Sequence, residues 1–353
     1  MLRLYICPMK IKRLVIENFK SIERIELVEP NPFTVFVGPN GSGKSNIFEA
    51  LEFVNLKTKV SDVEELFGGS ENYINRNTGN KHVNFEIEVD GLHSQYKEEQ
   101  GPDYGSIIER DGDSLVLQEI ITINNFPLFQ QQKLYLDSDQ DFEAGSRFYD
   151  SFSRLFIGNE KRQKLNLTGG RRLSFSGDNL DRVLKRLLNI DGLKEDLIDW
   201  LKLFVPGLNT IQIRSDTLSG IDTLLIYETG SDKPYTRNLI SDGTYYILAI
   251  LTAVYQTSDP QFLCIEEPEN GLHPQVLMTL VDFFRQQCEE KGHCIWLNTH
   301  SESLVRKLRP EEIILVNKRE GSTQIKQIKD RNLYDLQMDE AWLTGALGGG
   351  LPW

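Results

Sequence analysis

With 353 residues and 39% hydrophobic side chains, the chain suits one large domain or two modest ones built on an ample core. Its net charge of −13 argues against a protein that coats nucleic acid over its whole surface. It has no apolar run of about 18 residues and no signal-type segment in MLRLYICPMKIK, so a cytoplasmic location without a membrane partner is expected.

KIKRLVIENF at 10–19 alternates as a strand, and PFTVFVGPN at 32–40 is an apolar strand running into a glycine loop, with a helix predicted from about Ser45 to Phe53. VNFEIEV at 83–89 alternates again. Residues 91–178 are polar, rich in Gln and Asp, and patterned only in SLVLQEIITI and KLYLDS, which reads as an insertion. LDRVLKRLLNI and DGLKEDLIDWLKLF have helical spacing, the second closed by Pro206 and Gly207; TIQIR (210–214) and TLLIYE (223–228) are strands. A polar knot, LISDGT at 239–244, then opens a helix that carries Ile247, Leu248, Ile250, Leu251 and Val254 at helical spacing. The strand FLCIEE (262–267), a helix near 274–290, and the strands HCIWLNT (293–299) and IILVNKR (313–319) complete the pattern. Strands alternating with helices predict an α/β fold whose sheet is mainly parallel at its centre.

GPNGSGKS at 38–45 fits GxxxxGK[ST] and sits between a strand and a helix, the context in which the motif binds phosphate. Backbone N–H groups from Asn40, Gly41, Ser42, Gly43 and onward to Asn46, with the positive end of the helix, would wrap a β-phosphate. Lys44 would reach the β- and γ-phosphates, and the Ser45 hydroxyl would ligate Mg²⁺. FLCIEE ends in two carboxylates. Glu266 is placed to hold the metal and Glu267 to activate water, whereas standing alone the pair would read as solvated charges. CIWLN leads into Thr299, His300 and Ser301, so a further strand tip delivers a neutral hydrogen-bonding side chain to the same edge; a histidine without neighbouring signals is more often structural.

Three other features carry two readings each. Ser241 caps a helix, or with Gly243 it donates to an anion. From Gly145 to Arg186 ten basic residues (Arg147, Arg154, Lys161, Arg162, Lys164, Arg171, Arg172, Arg182, Lys185, Arg186) face four acids, which is either a solvated surface or a nucleic-acid contact. WLTGALGGGLPW at 342–353 is a frayed tail or a docking segment. The four cysteines, Cys7, Cys264, Cys288 and Cys294, show no metal-like spacing.

In its order GPNGSGKS, LISDGT, FLCIEEPENGLHP, NTHS, with KIKRLVIENFKSI ahead, the chain resembles ABC-type ATPases, and more narrowly their RecF-like, SMC-like and OLD-like branch. The resemblance covers roughly 9–90 and 205–320. It implies an ABC-ATPase head: a P-loop NTPase core with a mixed, mainly parallel sheet, an antiparallel β subdomain and a mainly helical insertion. The expected division is 1–90 and 205–320 for the two parts of the head, 91–204 for the insertion and 321–353 for a tail. It further implies ATP and Mg²⁺, and a head-to-tail homodimer or higher oligomer. In that dimer Ser241 and Gly243 would touch the γ-phosphate held by the other copy, and Asn270, Gly271 and Leu272 would cross the interface. Glu267 would be the base, His300 would sense the γ-phosphate, and Lys20 would touch phosphates or be an ordinary strand-edge lysine.

The family's lid glutamine is not identifiable, and Asp242 and Thr244 replace Gly and Gln in the signature, a form similar to the OLD-like branch. The 34 residues after Arg319 leave no room for a toprim nuclease domain, so a separate nuclease-like effector is the expected partner. A slow ATP-binding clamp and, less favoured, a transporter subunit are the alternatives.

Overall fold

The computed structural model describes residues 10–57, 59, 63–79, 82–89, 92–99, 106–108, 116–119, 133–135, 150–157, 171–216, 218, 221–328 and 336–348. The first half runs β1 (Ile11–Phe19), β2 (Ile22–Val28), β3 (Phe33–Val37), α1 (Lys44–Lys57), α2 (Val63–Leu66), β4 (His82–Val89), β5 (Leu92–Glu99), β6 (Ser106–Ile108), β7 (Val116–Glu119), β8 (Lys133–Tyr135) and β9 (Ser153–Leu155). The second runs α3 (Leu180–Leu187), α4 (Leu193–Phe204), β10 (Leu208–Ser215), β11 (Asp222–Glu228), β12 (Tyr235–Thr236), α5 (Asp242–Tyr255), β13 (Phe262–Glu266), α6 (Pro274–Lys291), β14 (Cys294–Thr299), α7 (Glu302–Val305), β15 (Ile313–Arg319), β16 (Ser322–Gln327) and α8 (Met338–Leu343).

The central sheet has the order β16-β15-β3-β14-β13-β9; its strands are parallel except β16, which closes one edge antiparallel to β15. Side chains alternate across it. Phe33, Val35, Val37, Leu263, Ile265, Ile295 and Leu297 enter one core cluster with α3 to α6. Phe36, Phe262, Cys264, Cys294, Trp296, Ile314 and Val316 enter the other, which packs on α1 and on the antiparallel sheet β2-β1-β4-β5. Burial on both faces is why β3, β13 and β14 read as unbroken apolar runs. The result is the mixed α/β head that the motif order implies, with its parallel core and antiparallel subdomain.

Two boundaries differ from expectation. Residues 91–204 hold β5 to β9 ahead of the helices α3 and α4, and β9 is no insertion strand: it pairs in parallel with β13, Cys264 opposite Arg154. Leu155, Val183, Leu184, Leu187, Leu197 and Leu201 then enter the main core. The head therefore resumes near residue 150 and not at 205; a strand of three residues is too short for a two-residue period to register. The segment after 320 is also integral. Thr323 is buried, and Met338, Ala341, Trp342 and Leu347 join the main core, with Asp339 accepting from Arg306 Nε at 2.7 Å. Leu351 and Trp353 lie outside the described residues.

The polar knot starts α5, and Gln261 secures the helix's far end. Its Nε2 donates to the carbonyls of Ala253 at 3.1 Å and Val254 at 2.7 Å, satisfying groups that a helix terminus leaves open. Beside it His293 is 2% exposed, and its Nδ1 accepts the Gln261 N–H at 3.3 Å. Burial pushes its pKa down to about 4. The folded state therefore rejects a proton that the unfolded chain takes up near pH 6.5. Stability is full above that pH, falls as pH drops toward 4, and levels off below, a loss of about 3 kcal/mol. Thermal midpoints measured across pH 7 to 4 should show this slope in the wild type and a flatter one in His293→Asn.

Candidate nucleotide-binding site

The parallel sheet brings β3, β13 and β14 side by side, so the loop after β3 and the ends of the other two strands share one edge. Residues 38–45 form the loop and α1 begins at Lys44. Gly43 has φ +101°, and a Cβ there would collide with the Thr323 hydroxyl of β16 and meet Ser21 Oγ at 2.9 Å, so only glycine fits. Thr323 Oγ1 bonds Ser42 O at 2.9 Å and Ser21 Oγ at 2.6 Å, fastening the loop to the β1–β2 turn. Asn46 Nδ2 joins that turn through Ser21 Oγ at 2.7 Å. Asn40 and Gly41 are exposed.

Lys44 Nζ donates to the carbonyls of Gly38 at 2.7 Å and Pro39 at 2.9 Å. Burial lowers its pKa, and Glu267, Glu269 and Glu266 oppose that shift. The Ser42 hydroxyl is buried without a hydrogen-bond partner. An orphaned donor beside a buried ammonium, in a loop narrowed by Thr323, suits a phosphate group.

Ser45 Oγ donates to Glu266 Oε2 at 2.6 Å, joining the loop to the tip of β13. Asn298 at the end of β14 donates to the same oxygen at 3.2 Å and accepts the Glu267 N–H on Oδ1 at 2.9 Å. Glu267 itself has φ +45°, a conformation rare outside glycine, and its carboxylate accepts from Asn270 Nδ2 at 3.2 Å. Glu269 accepts from Thr299 Oγ1 at 2.7 Å and from the His300 N–H at 3.0 Å, and His300 Nδ1 lies 3.5 Å from it. The structure thus gathers Lys44, Ser45, Glu266, Glu267 and His300 around one edge. Among the described residues no cluster of His, Cys, Asp and Glu forms a metal cage of its own.

Ser241 is exposed and caps α5, accepting the Thr244 N–H at 3.1 Å. Gly243 lies against the turn that follows β13; a Cβ there would stand 2.6 Å from Gly271 O. Gly243→Ala should therefore push the start of α5 away from Asn270–Leu272 at a cost of about 1–3 kcal/mol. A thermal midpoint equal to wild type would contradict this packing. Lys20, in the β1–β2 turn at φ +51°, pairs with Glu49 of α1.

Sequence reading missed Asn298, Glu269 and, above all, Arg154. The last belongs to the 145–186 island yet its side chain is 2% exposed, held by Glu266, Glu52 and Glu49. Arg186 Nη2 donates to two carbonyls, Arg171 O and Gln256 O, at 2.7 Å, and Lys185 pairs with Asp222 at 2.8 Å. Arg154, Lys185 and Arg186 thus face acids or carbonyls of the head itself, whereas Arg171 and Arg182 are exposed; Arg147, Lys161, Arg162 and Lys164 lie outside the described residues. Asn298 is the first residue of the quoted NTHS, where its neutral amide carries no signal of its own.

A family described as "AAA domain, putative AbiEii toxin, Type IV TA system" matches residues 33–306. Structural maintenance of chromosomes protein 4 of Dictyostelium discoideum is 38% identical over 86 residues, 23% of this chain and 6% of that protein. The chromosome partition protein Smc of Methanocaldococcus jannaschii is 42% identical over 66 residues, 18% of this chain and 6% of that protein. The chain thus matches only a small part of the length of these relatives. An SMC head bound to the C-winged helix domain of ScpA superposes with a TM-score of 0.57 at 15% identity, over 92% of this chain and 99% of that one. An Smc head with an extended coiled coil, bound to the C-terminal domain of ScpA derived from Pyrococcus furiosus, gives 0.53 at 15% identity, over 90% and 96%. At that identity the likeness establishes the fold alone.

Proposed function

The chain belongs to this AAA-domain family, an ABC- and SMC-like P-loop ATPase, and on that premise we propose that it binds and hydrolyses ATP in a head-to-tail dimer. The reading further makes it an OLD-like head without a toprim domain, a switch that controls a separate effector such as a nuclease, in a prokaryotic defence setting. The observation that carries the ATP site is the 2.6 Å bond from Ser45 Oγ to Glu266 Oε2, which joins the phosphate loop to the carboxylate tip of β13.

In this reading the loop N–H groups and Lys44 bind the β- and γ-phosphates. Ser45 and Glu266 would hold Mg²⁺, which supplies positive charge against the phosphates. Glu267 orients a water toward the γ-phosphorus and takes its proton as the bond to the β–γ bridging oxygen breaks. His300, kept in place by Glu269, donates to the γ-phosphate. Ser241, exposed at the start of α5, and Gly243 beside it complete the site of the opposite copy.

The test is phosphate release measured against protein concentration with ATP and Mg²⁺, together with mass by light scattering. Turnover per chain should rise with concentration as dimer forms. Release that is absent, or independent of concentration for a chain that stays monomeric, would sink the dimeric ATPase.

A further inference from the structure

We propose that Arg154 is a positioning residue for the metal-side carboxylate: it fixes Glu266 so that a single oxygen, Oε2, faces Ser45. This rests on the ATP and Mg²⁺ reading above and assigns to that site a residue from the opposite side of the sheet edge.

The geometry is specific. Parallel pairing of β9 with β13 sets Arg154 opposite Cys264, two residues before Glu266, and sends its side chain under the tip of β13 toward α1. Arg154 Nε donates to Glu266 Oε1 at 2.6 Å, and Nη2 donates to the same oxygen. The other oxygen, Oε2, accepts from Ser45 and Asn298. The remaining arm, Nη1, donates to Glu52, while Glu49 lies 3.7 Å from Nη2 and Phe175 stacks at 5.0 Å from the guanidinium carbon. Glu49 in turn holds Lys20 from the β1–β2 turn.

A planar guanidinium gripped by α1 and by an aromatic ring cannot swing. The carboxylate it holds is therefore barred from turning both oxygens toward the loop, a freedom that the extra methylene of Glu over Asp would otherwise give it. Burying Glu266 at 0% side-chain exposure also requires a partner, and Arg154 supplies it.

The experiment uses the full chain and a fluorescent ATP analogue, titrated in EDTA and across a Mg²⁺ series. The readout is the ratio of nucleotide affinity with Mg²⁺ to affinity without it. For Arg154→Gln this enhancement should fall by about tenfold or more, the range seen when partners behind a metal ligand are removed. Arg154→Lys, which keeps the charge but loses the fork, should need several-fold more Mg²⁺ for half-maximal enhancement, and it decides the matter if the Gln variant fails to fold. Both variants showing the wild-type Mg²⁺ dependence would overturn the proposal, as would a wild type that binds the analogue with no Mg²⁺ enhancement. A wild type that binds no analogue at all would instead overturn the proposed ATP site.

Discussion

Replacing Glu267 by glutamine is expected to slow phosphate release by about 10²–10⁴-fold while ATP remains bound and the dimer persists. Glutamine matches the shape of glutamate, and its amide oxygen can still accept from Asn270 Nδ2, so the local structure should survive. What disappears is the ability to take a proton. The setting is also costly to maintain. Glu267 holds φ +45°, a conformation worth about 1–3 kcal/mol of strain, and the Asn298 amide and carbonyl pin its N–H. Strain kept at one carboxylate between a phosphate loop and an exposed helix start is what a residue with a chemical task would show. Phosphate release and light scattering with ATP check the expectation together. Equal turnover in the two proteins would remove Glu267 from the role of base, and loss of bound ATP would show that the substitution acts on binding.

How much of this site could be read from the chain depended on distance along it. GPNGSGKS carries its own confirmation, since strand, loop and helix follow one another, and the Glu266–Glu267 pair closes an apolar run that could only be a buried strand. Ser241 as a cap was visible for the same reason: the cap and the helix it starts are adjacent. Arg154 had no such local signal. Its partners Glu49, Glu52 and Glu266 are about a hundred residues away, so sequence showed only a cation among cations, and a basic island was the natural reading. Only the pairing of β9 with β13 turns that charge inward. The C-terminal segment misled in the opposite direction. Trp342 followed by glycines suggested a loose end, yet Asp339 finds Arg306 and Trp342 is 2% exposed. α8 packs beside α7, the short helix that starts two residues after His300.

Lys44→Ala is expected to weaken ATP binding by at least about two orders of magnitude while leaving the fold in place. Each hydrogen bond from an ammonium to a phosphate is worth about 1.5–3 kcal/mol, and two such contacts, to the β- and γ-phosphates, exceed the 2.7 kcal/mol or so that a hundredfold change requires. Without a phosphate the same ammonium satisfies only Gly38 O and Pro39 O. Burial works against its charge, so the folded chain gains little from keeping it there. Truncation should therefore shift the thermal midpoint by no more than a few degrees. Ligand binding raises that midpoint only when the native state holds the ligand. ATP with Mg²⁺ should accordingly raise the midpoint of the wild type and leave that of Lys44→Ala where it was. A variant that is still stabilised by ATP would mean that the nucleotide sits elsewhere, and the orphaned Ser42 hydroxyl would then need another partner.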